Sequence, residues 1–466
     1  MPSRLRKFRL FARLRERAKA TDSNCAQHAE SVSPTARPDP GQRRPPQQPS
    51  VAVNTNTRAT TDSNSIVDVD FATEDAAIDT SKSTPSRLEN LPFELRLQVL
   101  SHISDLDDLR ALILASPVFY QQYYLDRKHV LSRVLISTLG SLLADGYSVR
   151  TSATLYSPPR PPPLDAVREF IENHASLRFA PPELVLQGCT LAELLEMAAF
   201  HQSLAQPLAL KCSAMFLQHL DSALEVGSLS SIEQTRLLRA LYRFQLYCNL
   251  FGQGPNPGQY PSVAMLDPPE TLALFFGPLN PWEVEEIDCI YKLIRNKYNA
   301  ILVAIQRGSA EDNPGLDDMD RPNTPNEREL LREGTALRGL RLFANVLATR
   351  DHDELAAAML QYQVRFRGFE HVLSWAMQHG RRTLYPSETD LAEARKDRVA
   401  FAGDTEDGPP LAWVIGWCGR YCNTHGPIIP AELKAWGYVS WDRRRLIKSG
   451  GKDAVLRARQ GRGGGT

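Results

Sequence analysis

Two cysteines and one histidine come closest to forming a metal site by their type and spacing. Cys418, Cys422 and His425 follow one another at intervals of four and three residues. Structural zinc needs four ligands, usually thiolates and imidazoles supplied as two pairs, and no fourth ligand accompanies these three. Cys418 and Cys422 also lie one helical turn apart among apolar residues. We therefore expect both to pack in a core, and we predict no metal site.

The sequence lacks the motifs of the common enzyme classes. The glycine-rich run from Gly461 to Gly465 has no predicted strand before it and no helix after it, so it does not resemble a phosphate-binding loop. No Gly-x-Ser-x-Gly nucleophile elbow is present. We therefore predict a non-catalytic protein with no catalytic residue and no cofactor.

Aromatic residues are dense between Trp413 and Leu446, where four of the six tryptophans occur. Tryptophan is a common anchor in cores and at binding hot spots. One interpretation is a recognition surface with Arg443, Arg444 and Arg445 at its rim. The other is a closing helix whose basic last turn suits the helix dipole. Three arginines beside a neutral domain are thin evidence for a nucleic-acid partner, and we expect none.

Composition excludes several classes of protein. Among 466 residues, Lys plus Arg and Asp plus Glu both number 54, so no net charge indicates a polyanion or a membrane as the partner. Seven scattered cysteines favour free thiols in a reducing compartment over a disulfide framework. No apolar run is long enough to span a membrane, and no secretory signal opens the chain. We expect a cytoplasmic or nuclear location, or both.

Residues 1–85 are predicted to be a disordered arm. Residues 1–20 are basic with interleaved apolar residues, which fits a nuclear import signal, a mitochondrial presequence, a membrane-surface helix or a plain solvated arm. Residues 21–85 are rich in Ser, Thr, Pro, Gln, Asn and Asp, a composition that cannot supply a packed core.

The stretch from Leu88 to Tyr124 predicts three short helices. Pro92 suits the first helical position, where its missing N–H is not needed. Either Asp105 or Asp107 can cap a second helix. That helix must stop at Ser116, which can in turn cap a third helix that begins at Pro117. Apolar residues on the first helix cover more of its surface than two supporting helices would bury, and this indicates a partner.

The run LPFELRLQVLSHISDLDDLRALILASPVFY within this stretch resembles an F-box of the kind found in many fungal proteins. The resemblance implies docking to a Skp-family linker and, through it, to a cullin-based ubiquitin ligase that acts on an unknown protein substrate. By the same resemblance, the predicted linker-binding residues are Leu91, Pro92, Leu95, Val99, Leu100, Ile103, Leu109, Leu112 and Pro117.

The fold class predicted for the whole chain is all-α, with an F-box over 86–130, a mainly helical domain over 131–446 and a flexible tail over 447–466. Thr190 with Glu193 and Ser231 with Gln234 are predicted helix starts. A stripe from Val130 to Leu143 predicts a helix that ends near Gly146.

Further helices are expected at 327–348 and 353–378, and residues 307–326 are expected to be an irregular acidic loop. No leucine-rich or WD-type repeat is present to read a substrate. The rival hypotheses are a helical scaffold that joins no ligase and, more weakly, a helical enzyme.

Overall fold

The structure is a computed structural model, and it describes residues 87–155, 163–219, 228–252, 266–312, 325–364, 368–377, 398–420 and 429–460. The predicted disordered arm over 1–85 lies outside these residues. The described residues are mostly helical and contain no strand, as the all-α prediction requires. None of the described helices is both long and apolar enough to cross a membrane.

The helices are numbered here in chain order. The first ten are α1 (Phe93–Ser101), α2 (Leu106–Ala115), α3 (Pro117–Leu125), α4 (Arg127–Leu139), α5 (Leu143–Leu155), α6 (Leu164–Leu177), α7 (Pro182–Val185), α8 (Leu191–Phe200), α9 (Gln206–Gln218) and α10 (Ser231–Phe251). The others are α11 (Pro268–Thr271), α12 (Pro281–Asp312), α13 (Pro325–Ala336), α14 (Leu340–Ala348), α15 (His352–Gln361), α16 (Phe369–Met377), α17 (Leu411–Trp417), α18 (Ala431–Ala435), α19 (Arg443–Lys448) and α20 (Gly451–Gln460).

Helices α10 and α12 form the centre of the fold. They pack along each other, α10 also packs against α5, and α12 contacts α13, α15, α16 and α18. One hydrophobic core begins at Leu100 on α1, passes through these central helices and reaches Val455 on α20. The helices of the N-terminal stretch therefore share their interior with the rest of the described chain.

Two of the helix starts can be compared with their predictions. The capping box of Thr190 and Glu193 is confirmed: the Thr190 hydroxyl accepts from the Glu193 N–H, and the Glu193 carboxylate accepts from the Thr190 N–H. The capping pair predicted as Ser231 and Gln234 is wrong by one residue, because Ser230 and Glu233 form the capping box before α10.

Glycines explain two other differences from the predictions. Gly146 lies inside α5 and does not end a helix. A Cβ atom at this position would lie only 3.2 Å from Leu139, so Gly146 lets the α5 backbone pack tightly against the end of α4, and Tyr242 on α10 lies at an ordinary contact distance of 3.6 Å. Gly339, at φ 92°, interrupts the helical stretch predicted over 327–348, and the Gln245 side chain accepts the N–H of Leu340 where α14 begins.

Other predicted boundaries also differ from the observed ones. Helix α4 runs straight through the F-box boundary placed at residue 130. The expected irregular loop over 307–326 is helical up to Asp312 and again from Pro325, and residues 313–324 lie outside the described part. The helix expected over 353–378 is two helices, α15 and α16, with residue 378 outside the described part.

The prediction of a flexible tail over 447–466 is wrong as far as residue 460. Helix α19 continues to Lys448, and α20 follows after a tight turn at Gly450. Helix α20 packs on α17 and α19 with Val455 buried. Ala454, Val455 and Ala458 give this short segment an apolar side that its many charges obscure in the sequence. Residues 461–466 lie outside the described part.

Candidate protein-interaction surface

The turn before α1 is tied to the junction of α2 and α3. The Arg96 guanidinium donates to the backbone carbonyls of Glu89, at 3.1 Å, and Leu91, at 3.0 Å. The Ser116 hydroxyl donates to the Glu89 carboxylate at 2.5 Å. These bonds hold the residues around Leu91 next to the start of α3, although 27 positions separate Glu89 from Ser116 in the chain.

Local capping sets where α2 and α3 begin. The Asp105 carboxylate accepts from the Asp107 N–H at 2.7 Å at the start of α2. Ser116 caps α3 by accepting from the Phe119 N–H, and Pro117 occupies the first turn. Both caps satisfy N–H groups that a helix start leaves without an intrahelical partner. Asp105, rather than Asp107, is thus the cap of α2.

The predicted linker-binding residues fall into three groups by exposure. Pro92, Leu95 and Pro117 are exposed. Four more are partly buried, and all of them except Leu91 pack against the core. The partly buried residues are Leu91, Val99, Ile103 and Leu112.

Leu100 and Leu109 form the third group, and they are fully buried in the chain's own core. Their side chains point away from solvent because α1 packs against α3 and α4, and α2 packs against the same two helices. A partner cannot contact them without unpacking these helices. We therefore correct their predicted role from linker contact to support of the surface from beneath.

Large apolar side chains are concentrated on the outside of α1–α3. Half of the twelve exposed large hydrophobic residues in the described ranges lie between Leu88 and Leu125. We call this set the apolar surface, and its members are Leu88, Phe93, Leu95, Leu114, Tyr124 and Leu125. Single exposed apolar residues are ordinary, and half of those in the described ranges fall within this one short stretch of chain.

A groove begins at the end of α3, next to Leu125. It has a volume of about 620 Å³, and the residues that line it are Leu125, Asp126, Lys128, His129, Ser132, Arg133, Ile136 and Glu183. Charges of both signs line it, and Arg133 lies 3.5 Å from Glu183 across it. The groove extends the exposed surface of α3 onto α4 and α7.

The centre of the molecule holds a network of buried charges that the sequence analysis missed. Arg239 on α10 makes two bonds to Glu286 on α12, at 2.8 and 2.7 Å. Arg243, one turn further along α10, pairs with Glu283 at 2.9 Å and with Asp145 on α5 at 3.2 Å. All five side chains are almost completely buried. We call these residues, with Arg178 and His174, the central ion network.

Opposite charges hold the network in its ionised form. Burial alone would raise the pKa of Glu283, but Arg243, Arg178 and Arg239 together hold it well below the usual range of a carboxyl group. Burial alone would lower the pKa of Arg239, but Glu286 and Glu283 raise it overall. Three spaced arginines on α10 and the acidic run Glu283–Asp288 could have signalled this pairing, since opposite charges on two helices can pair when the helices pack.

His174 is the uncharged member of the network. Its two ring nitrogens lie 2.8 Å from the Ser148 hydroxyl and 3.3 Å from the Asp145 carboxylate. Burial lowers the pKa of His174 to about 4, with Asp145 opposing and Arg178 and Arg243 adding to the shift. The imidazole is therefore neutral at physiological pH and serves packing and hydrogen bonding.

A second buried charge cluster joins α12 to α18. The Lys434 ammonium lies 2.5 Å from Asp288 and 3.3 Å from Glu285. Burial alone would lower the pKa of Lys434, but the two carboxylates raise it overall. Burial raises the pKa of Glu285, whereas Lys434 and Lys292 hold the pKa of Asp288 low. Such charges stabilise one arrangement of helices because leaving any of them unpaired in the interior is costly.

The C-terminal tryptophans are buried, which corresponds to the closing-helix interpretation rather than to a recognition surface. Trp413, Trp417, Trp436 and Trp441 all belong to the core. Arg445 lies over the Trp441 ring and pairs with buried Glu233 at 2.8 Å. This arginine therefore belongs to the fold and is not available at the rim of a site.

The thiols and carboxylates show no metal-binding geometry within the described ranges, where no group of three or more His, Cys, Asp or Glu residues could hold an ion. Cys189, Cys212, Cys248 and Cys289 are buried free thiols, and burial raises the pKa of Cys212 to about 12. Cys418 is a partly exposed free thiol. Its predicted neighbours Cys422 and His425 lie outside the described residues.

Comparison of the chain with models of protein families, with curated proteins and with solved structures gives no match.

Proposed function

We propose that the chain is a substrate-recruiting adaptor of a Skp–cullin–F-box ubiquitin ligase and that it binds a Skp-family linker through α1–α3. The observation that carries the proposal is the apolar surface, which concentrates large exposed side chains on the three helices that resemble an F-box. In this role the chain supplies contacts and no catalytic groups, and ubiquitin transfer takes place on partner subunits.

The proposed contact residues are those of the predicted set that solvent can reach. Pro92, Leu95 and Pro117 provide the most exposed part, and the hydrogen bond between Glu89 and Ser116 keeps the start of α1 beside the start of α3. The proposed contact also includes the solvent-accessible atoms of four partly buried residues, Leu91, Val99, Ile103 and Leu112. Leu100 and Leu109 support this surface from the core.

Burying the exposed apolar side chains of α1–α3 against a partner would make a large favourable contribution to the free energy of binding. Complete burial of one exposed leucine contributes roughly 1.5–3 kcal/mol. Leu95, at 43% exposure, can therefore contribute a substantial part of the binding energy. A charge at this position would be buried without a partner in the complex, which costs more than the lost contact.

The experiment is capture of a purified Skp-family linker by the full-length chain at micromolar concentration. Wild type should bind, and Leu95→Asp should abolish capture. Leu360→Asp is the matched control, because Leu360 is a similarly exposed leucine on α15, far along the chain from α1–α3. Circular dichroism should show unchanged helicity and melting for both variants.

Absence of capture by wild type would overturn the proposal, as would equal loss of capture in the two variants. A change at Val99 is less suitable as a test, because Val99 packs against the core and its replacement by Asp would also disturb folding.

A specific observation favours the second candidate, a helical scaffold that joins no ligase. The helices α1–α3 contribute Leu100, Leu106, Leu109, Ile113, Phe119 and Tyr123 to the common core. A helical piece of a larger scaffold would be integrated in this way. If Leu95→Asp unfolds the whole chain, α1 is a structural helix and the scaffold function replaces the adaptor.

A further inference from the structure

The last two described helices carry a dense positive charge. Between Arg443 and Gln460 the chain has seven Lys or Arg residues against a single carboxylate, Asp453. The equal numbers of charges in the whole chain conceal this local excess. The net charge of the whole chain therefore says nothing about this region, to which a negatively charged partner would be attracted.

Most of these cations face solvent without a counter-charge. The exposed members are Arg443, Arg444, Lys448, Lys452, Arg457 and Arg459. Among the described residues, no carboxylate lies within salt-bridge distance of any of these six side chains. Arg445 is the exception in this region, since it is paired with Glu233.

Helical spacing arranges four of these cations in two rows. Arg444 and Lys448 are four residues apart on α19, and Lys452 and Arg459 are seven residues apart on α20, so each pair shares one helix face. The two helices pack on each other. The four residues therefore lie on one packed pair of helices, and we call them the basic face.

The basic face is bounded by the buried apolar sides of α19 and α20 and by acidic residues near Arg443. The apolar sides of α19 and α20 point inward, with Leu446 and Val455 fully buried. Beyond Arg443 the surface turns acidic: the Arg443 N–H donates to Asp404, and Glu406 and Asp407 are exposed nearby in the chain. We therefore leave Arg443 out of the basic face.

We propose that the basic face binds the phosphate backbone of single-stranded nucleic acid without reading its sequence. Rows of unpaired cations on two packed helices suit a chain of regularly spaced phosphates. The sequence continues from α20 as Gly461-Arg462-Gly463-Gly464-Gly465, which holds one Arg-Gly-Gly unit, and segments built from such units occur in proteins that bind single strands without sequence preference. This activity is independent of the proposed linker binding, and it revises the expectation that the chain has no nucleic-acid partner.

The observations favour a nucleic acid over an anionic membrane. A helix that lies in a membrane surface turns an apolar face toward the lipid. The apolar faces of α19 and α20 are instead packed against the protein, and Ile447 is their only exposed large apolar side chain. The basic face can therefore offer a partner only electrostatic attraction, and the phosphates of a flexible single strand fit such a face better than a membrane surface does.

The test is fluorescence anisotropy of the full-length chain with a labelled polyuridine of about 20 nucleotides over a range of salt concentrations. Four phosphate contacts predict that affinity falls about 50-fold between about 50 and 200 mM salt, from a slope of about −0.7 per contact. Lys448→Gln with Lys452→Gln leaves two contacts, so the same fall should shrink to about 7-fold.

The matched control is Lys211→Gln with Arg341→Gln, which removes the same charge from exposed positions on α9 and α14. It should keep the wild-type salt dependence, and circular dichroism should show that both variants are folded. No binding of polyuridine by wild type at low salt overturns the proposal. Equal loss in the two variants also overturns it, as does binding to phosphatidylserine vesicles but not to polyuridine.

Discussion

Helices α1–α3 and the two central helices, α10 and α12, differ in which types of side chain they expose and which they bury. The first region exposes large apolar side chains such as Phe93, Leu95 and Leu125. The second buries charged side chains such as Arg239 and Glu286 in almost complete absence of solvent. The comparison shows that residue type alone does not decide burial in this chain. What decides it is whether the neighbouring helix supplies a suitable partner.

The two regions also differ in what replaces water. In the central ion network, each arginine lies at hydrogen-bond distance from a carboxylate, so contacts with an opposite charge replace contacts with water. On α1, Leu95 remains 43% exposed, so water still contacts a large part of its side chain. The centre therefore pairs most of its buried charges within the chain, while the apolar surface leaves part of its side chains in contact with water.

The largest effect is expected from Arg239→Met, which would break the central ion network from one side. It leaves Glu286 buried without its bidentate partner, at a cost of roughly 3–5 kcal/mol in the free energy of unfolding. Urea denaturation of the purified chain measures this. Arg133→Met removes an exposed ion pair and should cost at most about 1 kcal/mol. Equal losses in the two variants would show that the buried pair is no more important than a surface pair.

A smaller effect is expected from leucine truncations on the two sides of α1. Leu100→Ala creates a cavity in the core and should lower the free energy of unfolding by roughly 2–5 kcal/mol. Leu95→Ala, on the exposed side, should change it by about 0.5 kcal/mol or less. Thermal or urea unfolding compares them directly. A large loss for Leu95→Ala would mean that this face is already covered within the chain.

The smallest effect is expected from titration of His174. Its pKa is about 4 in the folded chain and about 6.5 when unfolded, so the unfolded chain binds more protons between these values. His174 therefore contributes stability that is fully present above pH 6.5, by about 3 kcal/mol at most, and is lost as the pH falls toward 4. Urea midpoints measured at several pH values should decline over this window. His174→Gln should flatten the decline, whereas an unchanged profile would refute the assignment.

Local signals in the sequence predicted part of the fold correctly. The capping box at Thr190 and the absence of strands from the described residues follow from short-range chemistry, which acts within a few residues of chain. Helix breaks at Ser116–Pro117 follow from the geometry of proline in the same way. Gly146 does not end a helix as predicted, and its missing side chain instead makes room for Leu139 where the ends of α4 and α5 pack together.

The surface was harder to predict than the helices. Leu95 and Leu100 belong to the same apolar helix, and nothing in the sequence alone separates the exposed one from the buried one. Their difference arises because α3 and α4 cover only one side of α1. The tail after residue 447 was misread for a similar reason, since Val455 finds its partners on α17 and neighbouring elements.

The amino-acid sequence is enough to predict that the chain is mostly helical and where several helices begin, and one stretch of it resembles an F-box. These properties depend on backbone and side-chain preferences that operate over one or two turns. Helix packing makes Arg239 and Glu286 buried partners, places Leu100 in the core and Leu95 at the surface, and brings the cation-bearing helices α19 and α20 together. Each of these depends on which helices pack together, because burial and charge pairing are properties of contacts between residues distant in the chain.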